Sequence, residues 1–409
     1  VVGFTNIEES GQEGIELAFQ RELQGHDGSR GWSRTAWAAW SRTSGEPADA
    51  GQRPRHRLSV DSKVQFFAYQ RVRDAVAEHK AKAGSVVVLD VHTGEVLALA
   101  NYPSYDPGAA RKLSGAQLRN RALTDIFEPG STMKPFIAAL ALETGASRRD
   151  ADPDRAGQHQ VSGARSATRT RTACSACRGD PEVEQRRHRA MAMQMPAREM
   201  WELYTRSAWP EAADRLSGRG HRPAAPLQDL APDRAGDHEL RLRPVGVAVP
   251  AGARLHRVAR DGEVMPVTDA AAGQPAPGTR VLSPETARAV RDMLQLAAGP
   301  GRHRAAGADH RLLGRRQDRH RAQAGRQGLR QQQVPLAWFV GLAPIDKPRI
   351  VVAVMVDEPS NGVYYGGAVA APVFSQVVQQ TLRMLGVPPD LEVKPQIMAT
   401  VVPAEPESF

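Results

Sequence analysis

The run Glu128-Pro129-Gly130-Ser131-Thr132-Met133-Lys134-Pro135-Phe136 holds the residue types and spacing best suited to covalent chemistry. A serine at the start of a helix with a lysine three residues on sets hydroxyl and amine on one face, a turn apart. The hydroxyl becomes a competent nucleophile when a neighbouring base takes its proton. Lysine can be that base where desolvation or nearby positive charge lowers its pKa. Amides around a helix start favour the negative charge that develops on an attacked carbonyl. Gly130 permits close approach, and Pro135 is tolerated only in a first turn, which places the helix start close to Ser131. The bland alternative is an N-cap serine with a solvated first-turn lysine, and for a bare Ser-x-x-Lys it is the commoner case.

Other candidates carry less. Cys174 and Cys177 have neither a second cysteine pair nor a suitably spaced histidine, so a zinc site is not expected. His188, His303 and His320 stand in no metal-ligand spacing. Asp90 and His92 fall in a hairpin turn with no nucleophile beside them, and a surface turn is expected there. Tyr364-Tyr365-Gly366-Gly367 reads equally as a tight turn needing glycine or as a substrate contact.

The elements that must position Ser131 and Lys134 are legible around them. A helical pattern starts after Val60-Asp61 and runs through Phe66, Phe67, Val72 and Val76. Ser85 to Leu89 is a strand by its β-branched content, Asp90 to Glu95 a turn, and Val96 to Ala100 the partner strand of a hairpin. Asn101 to Pro107 is a loop, and the helix from Ser131 stops at Gly145. Trp338 to Leu342 and Arg349 to Asp357 form a second hairpin, and Ala371 to Leu385 has the stripe of a helix packed on a sheet. The Pro-rich tail from Gly386 is expected to be extended. Hairpins near both ends with helices between and after them predict an α+β layered fold.

The 409 residues allow two or three domains, and 41% hydrophobic content argues against wholesale disorder. No apolar run approaches the length that spans a bilayer. The chain begins at Val1 without a charged start or an apolar signal region, and so reads as a fragment lacking its N-terminus. Net charge is +9, with 47 Arg against seven Lys. Such a charge ordinarily suggests nucleic acid or an anionic membrane. The arginines, however, crowd into four segments, roughly Gly31–Arg57, Ala146–Arg189, Ser207–Arg257 and Gly301–Pro335, that show neither helical nor strand period. No Lys occurs between Lys134 and Lys347, and no Asn between Asn120 and Asn361.

Phe127 to Phe136, with the hairpin Gly84 to Ala100 and the loop Asn101 to Pro107, strongly resembles the transpeptidase domain of class B penicillin-binding proteins, nearest the division-specific septal type, penicillin-binding protein 3. Gly14-Ile15-Glu16 with the helix Leu17 to Gly25 resembles part of that family's N-terminal pedestal, and most of Trp338 to Leu385 matches as well. The resemblance implies a penicillin-binding transpeptidase fold, an antiparallel sheet flanked by helices, with residues 1–57 a pedestal remnant and linker, 58–388 the transpeptidase domain and 389–409 a tail. The family's motif set is Ser-x-x-Lys, Ser-x-Asn and Lys-Thr-Gly or Lys-Ser-Gly. Only the first is present: Asn361 has Pro359 two residues before it, and Lys347 and Lys394 are each followed by proline.

Synonymous codons can hide the other two. Glu182 to Arg189, read from the second base, can yield Lys-Ser-Ser-Asn-Val-Gly-Thr. Arg315 to Gln323 can yield Gly-Gly-Lys-Thr-Gly-Thr-Ala-His in the same way. His238 to Arg257 can likewise yield Met-Ser-Tyr-Gly-Tyr-Gly-Leu-Ser-Val-Ser-Leu-Phe-Gln-Leu-Ala-Arg-Ala-Tyr-Thr, and Gly31 to Ser44, from the third base, another family-like stretch. A GC-rich gene read out of frame is rich in CGN triplets, which accounts for the arginine excess without a nucleic-acid partner.

The resemblance implies a serine peptidoglycan D,D-transpeptidase with Ser131 as nucleophile and Lys134 as base, acting on stem peptides and acylated by β-lactams, with no metal or organic cofactor. It also implies other division proteins as partners, among them a glycan polymerase, and a place on the periplasmic face of the cytoplasmic membrane. The chain as it stands is expected to be inactive or misfolded, its frame-shifted segments irregular. A non-catalytic division scaffold and a basic nucleic-acid-binding protein are the alternative readings.

Overall fold

The computed structural model describes residues 1–24, 32–34, 40–42, 55–106, 115–125, 130–144, 159–161, 164–166, 248–268, 277–298, 336–388 and 390. The first long helix, α1 (Ser62–Glu78), opens where Asp61 accepts hydrogen bonds from the Lys63 and Val64 N–H groups at 2.9 and 3.0 Å. This cap satisfies two of the donors a helix start leaves orphaned. The buried side of α1 is Val64, Ala68, Val72, Ala75 and Val76. Phe66, placed on that stripe by the sequence pattern, is 60% exposed. It lies two residues past Val64, a rotation of about 200°, which turns it to the opposite side.

Strands β1 (Ala83–Asp90) and β2 (Val96–Tyr102) follow as the expected hairpin. Its turn closes on Gly94, whose φ of +74° favours glycine. Then come α2 (Lys134–Glu143), α3 (Ala248–Ala259) and α4 (Pro284–Ala298), the second hairpin of β3 (Leu336–Ala343) and β4 (Ile350–Asp357), and α5 (Gly366–Met384). The four strands form one antiparallel sheet in the order β2-β1-β4-β3, with Ile350 opposite Asp90 and Asp357 opposite Ala83. The two central strands thus come from distant parts of the chain.

Both faces of the sheet are covered, which is why β1 and β4 are buried along their whole length and read as apolar runs rather than alternating patterns. Side-chain alternation divides the core. Val86, Val88, Phe339, Val352 and Val354 pack under α1 and α5, whereas Val87, Leu89, Trp338, Val340, Val351, Ala353 and Met355 face α2, α3 and α4.

Three details differ from the sequence expectation. Regular structure occurs in segments where none was expected: α3 occupies the end of Ser207–Arg257, and short strand pairs, Trp32–Arg34 with Trp40–Arg42 and His159–Val161 with Ala164–Ser166, lie in Gly31–Arg57 and Ala146–Arg189. Helix α4 was not foreseen, although Ser283-Pro284 is a start signal and Ala287, Val290 and Leu294 make its buried stripe. The N-terminal helix is two short pieces, Gly14–Ala18 and Gln20–Leu23. Most of the tail from Gly386 lies outside the described residues. Among the described residues, no helix is long and apolar enough to cross a membrane.

Candidate active site

Ser131 lies on a 3-10 turn, Gly130–Met133, that runs directly into α2, so Lys134 is the first residue of the α-helix and Ser131 precedes it by three. The expected helix start is therefore present, with its opening turn wound tighter. Pro135 sits where a missing N–H costs nothing, because the first amides of a helix have no partner within it. Met133, Phe136 and Ile137 are buried at 3%, 4% and 1% exposure, and they key this turn into the core beneath the sheet. The helix ends at Glu143, with Thr144 as its cap.

The far end of this helix is tied to its surroundings, and the segment ahead of the motif is tied to β2. At the far end, the Glu143 carboxylate accepts from the Ser283 N–H at 2.7 Å and the Ser283 hydroxyl at 2.8 Å, which joins α2 to the start of α4. Partial burial pushes the Glu143 carboxyl up, but the hydrogen bonds from Ser283 and Thr286 outweigh it and hold the group below its ordinary value. Ahead of the motif, the short helix Arg121–Thr124 is fixed to β2 by Asn101. The Asn101 amide donates to Asn120 Oδ1 at 2.9 Å, and its oxygen accepts from the Ala122 N–H at 2.9 Å. The Asn120 N–H donates to Glu13 at 3.1 Å, which brings the N-terminal segment to the same point.

Arg121, 6% exposed, bridges Asp125 at 3.1 Å and approaches Asp357 at 4.0 Å. Burial, with Glu358 and Asp125 close by, holds the Asp357 carboxyl above its usual value despite that arginine. On the inner side of α2, the Arg257 guanidinium of α3 lies over the Phe136 ring at 5.3 Å. A serine and a lysine three residues apart at a helix start have the spacing that acyl transfer through a covalent intermediate would use, and the far end of that helix is tied to α4.

The remaining candidates resolve differently. Asp90 is in the expected turn, accepting from the His92 and Thr93 N–H groups at 2.8 and 3.2 Å and from Arg349, but it is 2% exposed rather than on the surface. Its carboxylate is spent on shaping the hairpin. The glycine of Tyr365-Gly366 is required by packing: a Cβ there would stand 2.3 Å from the Trp338 carbonyl oxygen. Cys174, Cys177, His188, His303 and His320 lie outside the described residues, and among the described residues no cluster of three metal-ligating side chains occurs.

Asn101, Asn120, Glu13 and Glu143 were missed by sequence reasoning. They act by tertiary hydrogen bonds that leave no period or motif. The one available signal was the scarcity of asparagine, with Asn101 and Asn120 flanking the approach to Ser131.

Residues 84–178 and 253–379 match the family model for the penicillin-binding protein transpeptidase domain. The chain is 33% identical over 95% of its length to a probable peptidoglycan D,D-transpeptidase, PenA, of Neisseria meningitidis, and covers 67% of that protein. It is 31% identical over 95% of its length to the peptidoglycan D,D-transpeptidase FtsI of Escherichia coli, covering 66% of it. Among solved structures, the apo transpeptidase domain of Burkholderia pseudomallei penicillin-binding protein 3 superposes with a TM-score of 0.61 at 33% identity, over 82% of this chain and 98% of that one. The fold, the family match and these relatives agree, and the chain belongs to the penicillin-binding protein transpeptidase family.

Proposed function

We propose that this chain derives from a septal peptidoglycan D,D-transpeptidase in which Ser131 attacks the carbonyl between the two terminal D-alanines of a stem peptide. D-Alanine leaves, an acyl-enzyme forms, and an amine from a neighbouring stem resolves it into a cross-link. Lys134 takes the serine proton as the oxygen attacks. β-Lactams acylate Ser131 by mimicking the substrate. The observation that carries this reading is Ser131-x-x-Lys134 at the opening of α2, on a chain of this family.

Residues 1–57 serve as a pedestal remnant, 58–388 as the catalytic domain and 389–409 as a tail. The working place is the periplasmic face of the cytoplasmic membrane, among other division proteins including a glycan polymerase. The missing Ser-x-Asn and Lys-Thr-Gly favour one second reading for the chain as it stands, a scaffold that keeps the fold without acylation. Labelling with fluorescent penicillin separates the two. A folded chain with all frames restored is expected to carry one adduct, on Ser131 by peptide mass spectrometry and lost in Ser131→Ala. A folded restored chain with no adduct overturns the enzymatic reading.

A further inference from the structure

The turn after β4 is fastened to the end of α1. Ser360 donates its N–H to the His79 carbonyl at 2.9 Å and its hydroxyl to the Lys80 carbonyl at 2.7 Å. The Asn361 amide nitrogen donates to the Glu78 carbonyl at 3.2 Å and meets His79 Nδ1 at 3.0 Å, while Asn361 Oδ1 accepts from the Val363 N–H at 3.2 Å. A carbonyl only accepts and an N–H only donates, so these two backbone partners fix which way the amide points. Its nitrogen therefore faces His79, and Nδ1 of that ring must carry the lone pair, with the ring proton on Nε2. His79 itself is held firmly, being 8% exposed at the end of a helix packed on the sheet.

Beyond this clip the loop carries Tyr364 and Tyr365. Their rings lie 4.5 Å apart, and Val363 and Tyr365 are each 38% exposed, so the loop leaves an apolar surface open to solvent. It departs from the sheet at Asp357, which Arg121 approaches ahead of the motif, and returns at Gly366, pressed against the Trp338 carbonyl of β3. Leu336 pairs with Asp357 and Trp338 with Met355, so both ends of the loop lie at the end of the sheet that the approach to Ser131 occupies. A side chain at Gly362 would meet nothing, and the clip on one side and Gly366 on the other set the course of Val363 to Tyr365. We infer that Asn361 is a positioning residue, whose amide holds this loop on His79 so that the Tyr364-Tyr365 pair stands where the acyl donor is received. The inference rests on the acyl-transfer reading above. Asn361 acts through the loop, and neither Ser131 nor Lys134 is on the elements that it joins. Its effect is therefore on binding of the donor rather than on the bond-making step.

The test is the kinetics of acylation by fluorescent penicillin in the frame-restored chain, read as a half-saturating concentration and a limiting rate. Asn361→Ala and His79→Leu are each expected to raise the half-saturating concentration by about 2–10-fold, the worth of one hydrogen bond, and to leave the limiting rate unchanged. His79→Asn, whose side-chain oxygen stands as many bonds from Cβ as Nδ1 does, is expected to behave as the parent. Parent kinetics in Asn361→Ala, a fall in the limiting rate instead, or a His79→Asn no better than His79→Leu would overturn the inference. Nitrogen NMR of the chain with isotope-labelled histidine reads the clip without kinetics. The proton of His79 is expected on Nε2, and a proton on Nδ1 overturns the clip whether or not the variants fold. A folded restored parent that takes no adduct defeats the enzymatic reading and this inference with it, an outcome distinct from each of the others.

Discussion

Acyl transfer asks different things of Ser131 and Lys134, and substitution separates them in the frame-restored chain. Ser131→Ala removes the attacking oxygen, so covalent labelling is lost while reversible binding of the antibiotic persists. Lys134→Ala leaves the oxygen but removes the base, and acylation is expected to slow by about 10²–10⁴-fold, measured as the pseudo-first-order rate of adduct formation. Lys134→Arg is expected to be equally slow, because a guanidinium does not give up its proton to act as a base. A Lys134→Arg rate near that of the parent chain would remove lysine from the base role.

His256 allows a test of the chain as it stands. Burial pushes its pKa down to about 4, and the nearby Arg260 adds to the effect against the hydrogen bond to Asp90. Asp90, His92, Glu95, Arg260 and Arg349 are the ionisable groups on and against that turn. The unfolded chain takes up the proton near pH ~6.5 and the folded chain only near 4, so stability is complete above that upper value and falls as pH drops through the interval. The loss is on the order of 3 kcal/mol. Urea midpoints at about pH 7 and about pH 4.5 are expected to differ accordingly, and His256→Leu to flatten the difference. An unchanged slope in the variant would show that another group carries the dependence.

At the scale of elements, the approach to the motif depends on one side chain more than its sequence suggests. Asn101 links β2 to Arg121–Thr124 through both ends of its amide. Asn101→Ala leaves the Ala122 N–H and the Asn120 side chain short of partners in a largely buried place. The expected cost is about 1–3 kcal/mol by chemical denaturation. If the linkage also positions the turn carrying Ser131, acylation of the frame-restored chain slows beyond what its lower stability explains. The hairpins were legible as apolar, β-branched runs on either side of a turn, and α1, α2 and α5 because their apolar residues recur at helical spacing. Ser131 and Lys134 were legible because chemistry is written in residue type and spacing. Helix α4 was overlooked because Arg288, Arg291 and Asp292 dilute its stripe, and the role of the two arginines appears only when Asp261 arrives from another turn. Helix α3 could not be read from period at all, since its buried face includes His256 and Arg257.

For the molecule as a whole, the sheet order imposes the strongest constraint. β1 must find β4 across most of the chain before either has a buried neighbour on that side, and the eight paired positions from Ala83–Asp357 to Asp90–Ile350 form together or not at all. Loop-closure entropy opposes this pairing until the two helical layers can close over it, so α1 and α2 gain their main support only once β4 and α5 are in place. The N-terminal hairpin with its two helices should therefore be unable to stand alone. A chain ending at residue 335 lacks β3, β4 and α5, and exposes the inner edge of β1 together with the apolar faces of Val86, Val87, Val88 and Leu89. It is expected to show no cooperative unfolding transition by circular dichroism and to associate through that bare edge, as unpaired apolar strands do. A sharp transition in a monomeric truncated chain would mean that the N-terminal part is an independent folding unit, and that the central β1–β4 pairing is a docking of two finished halves.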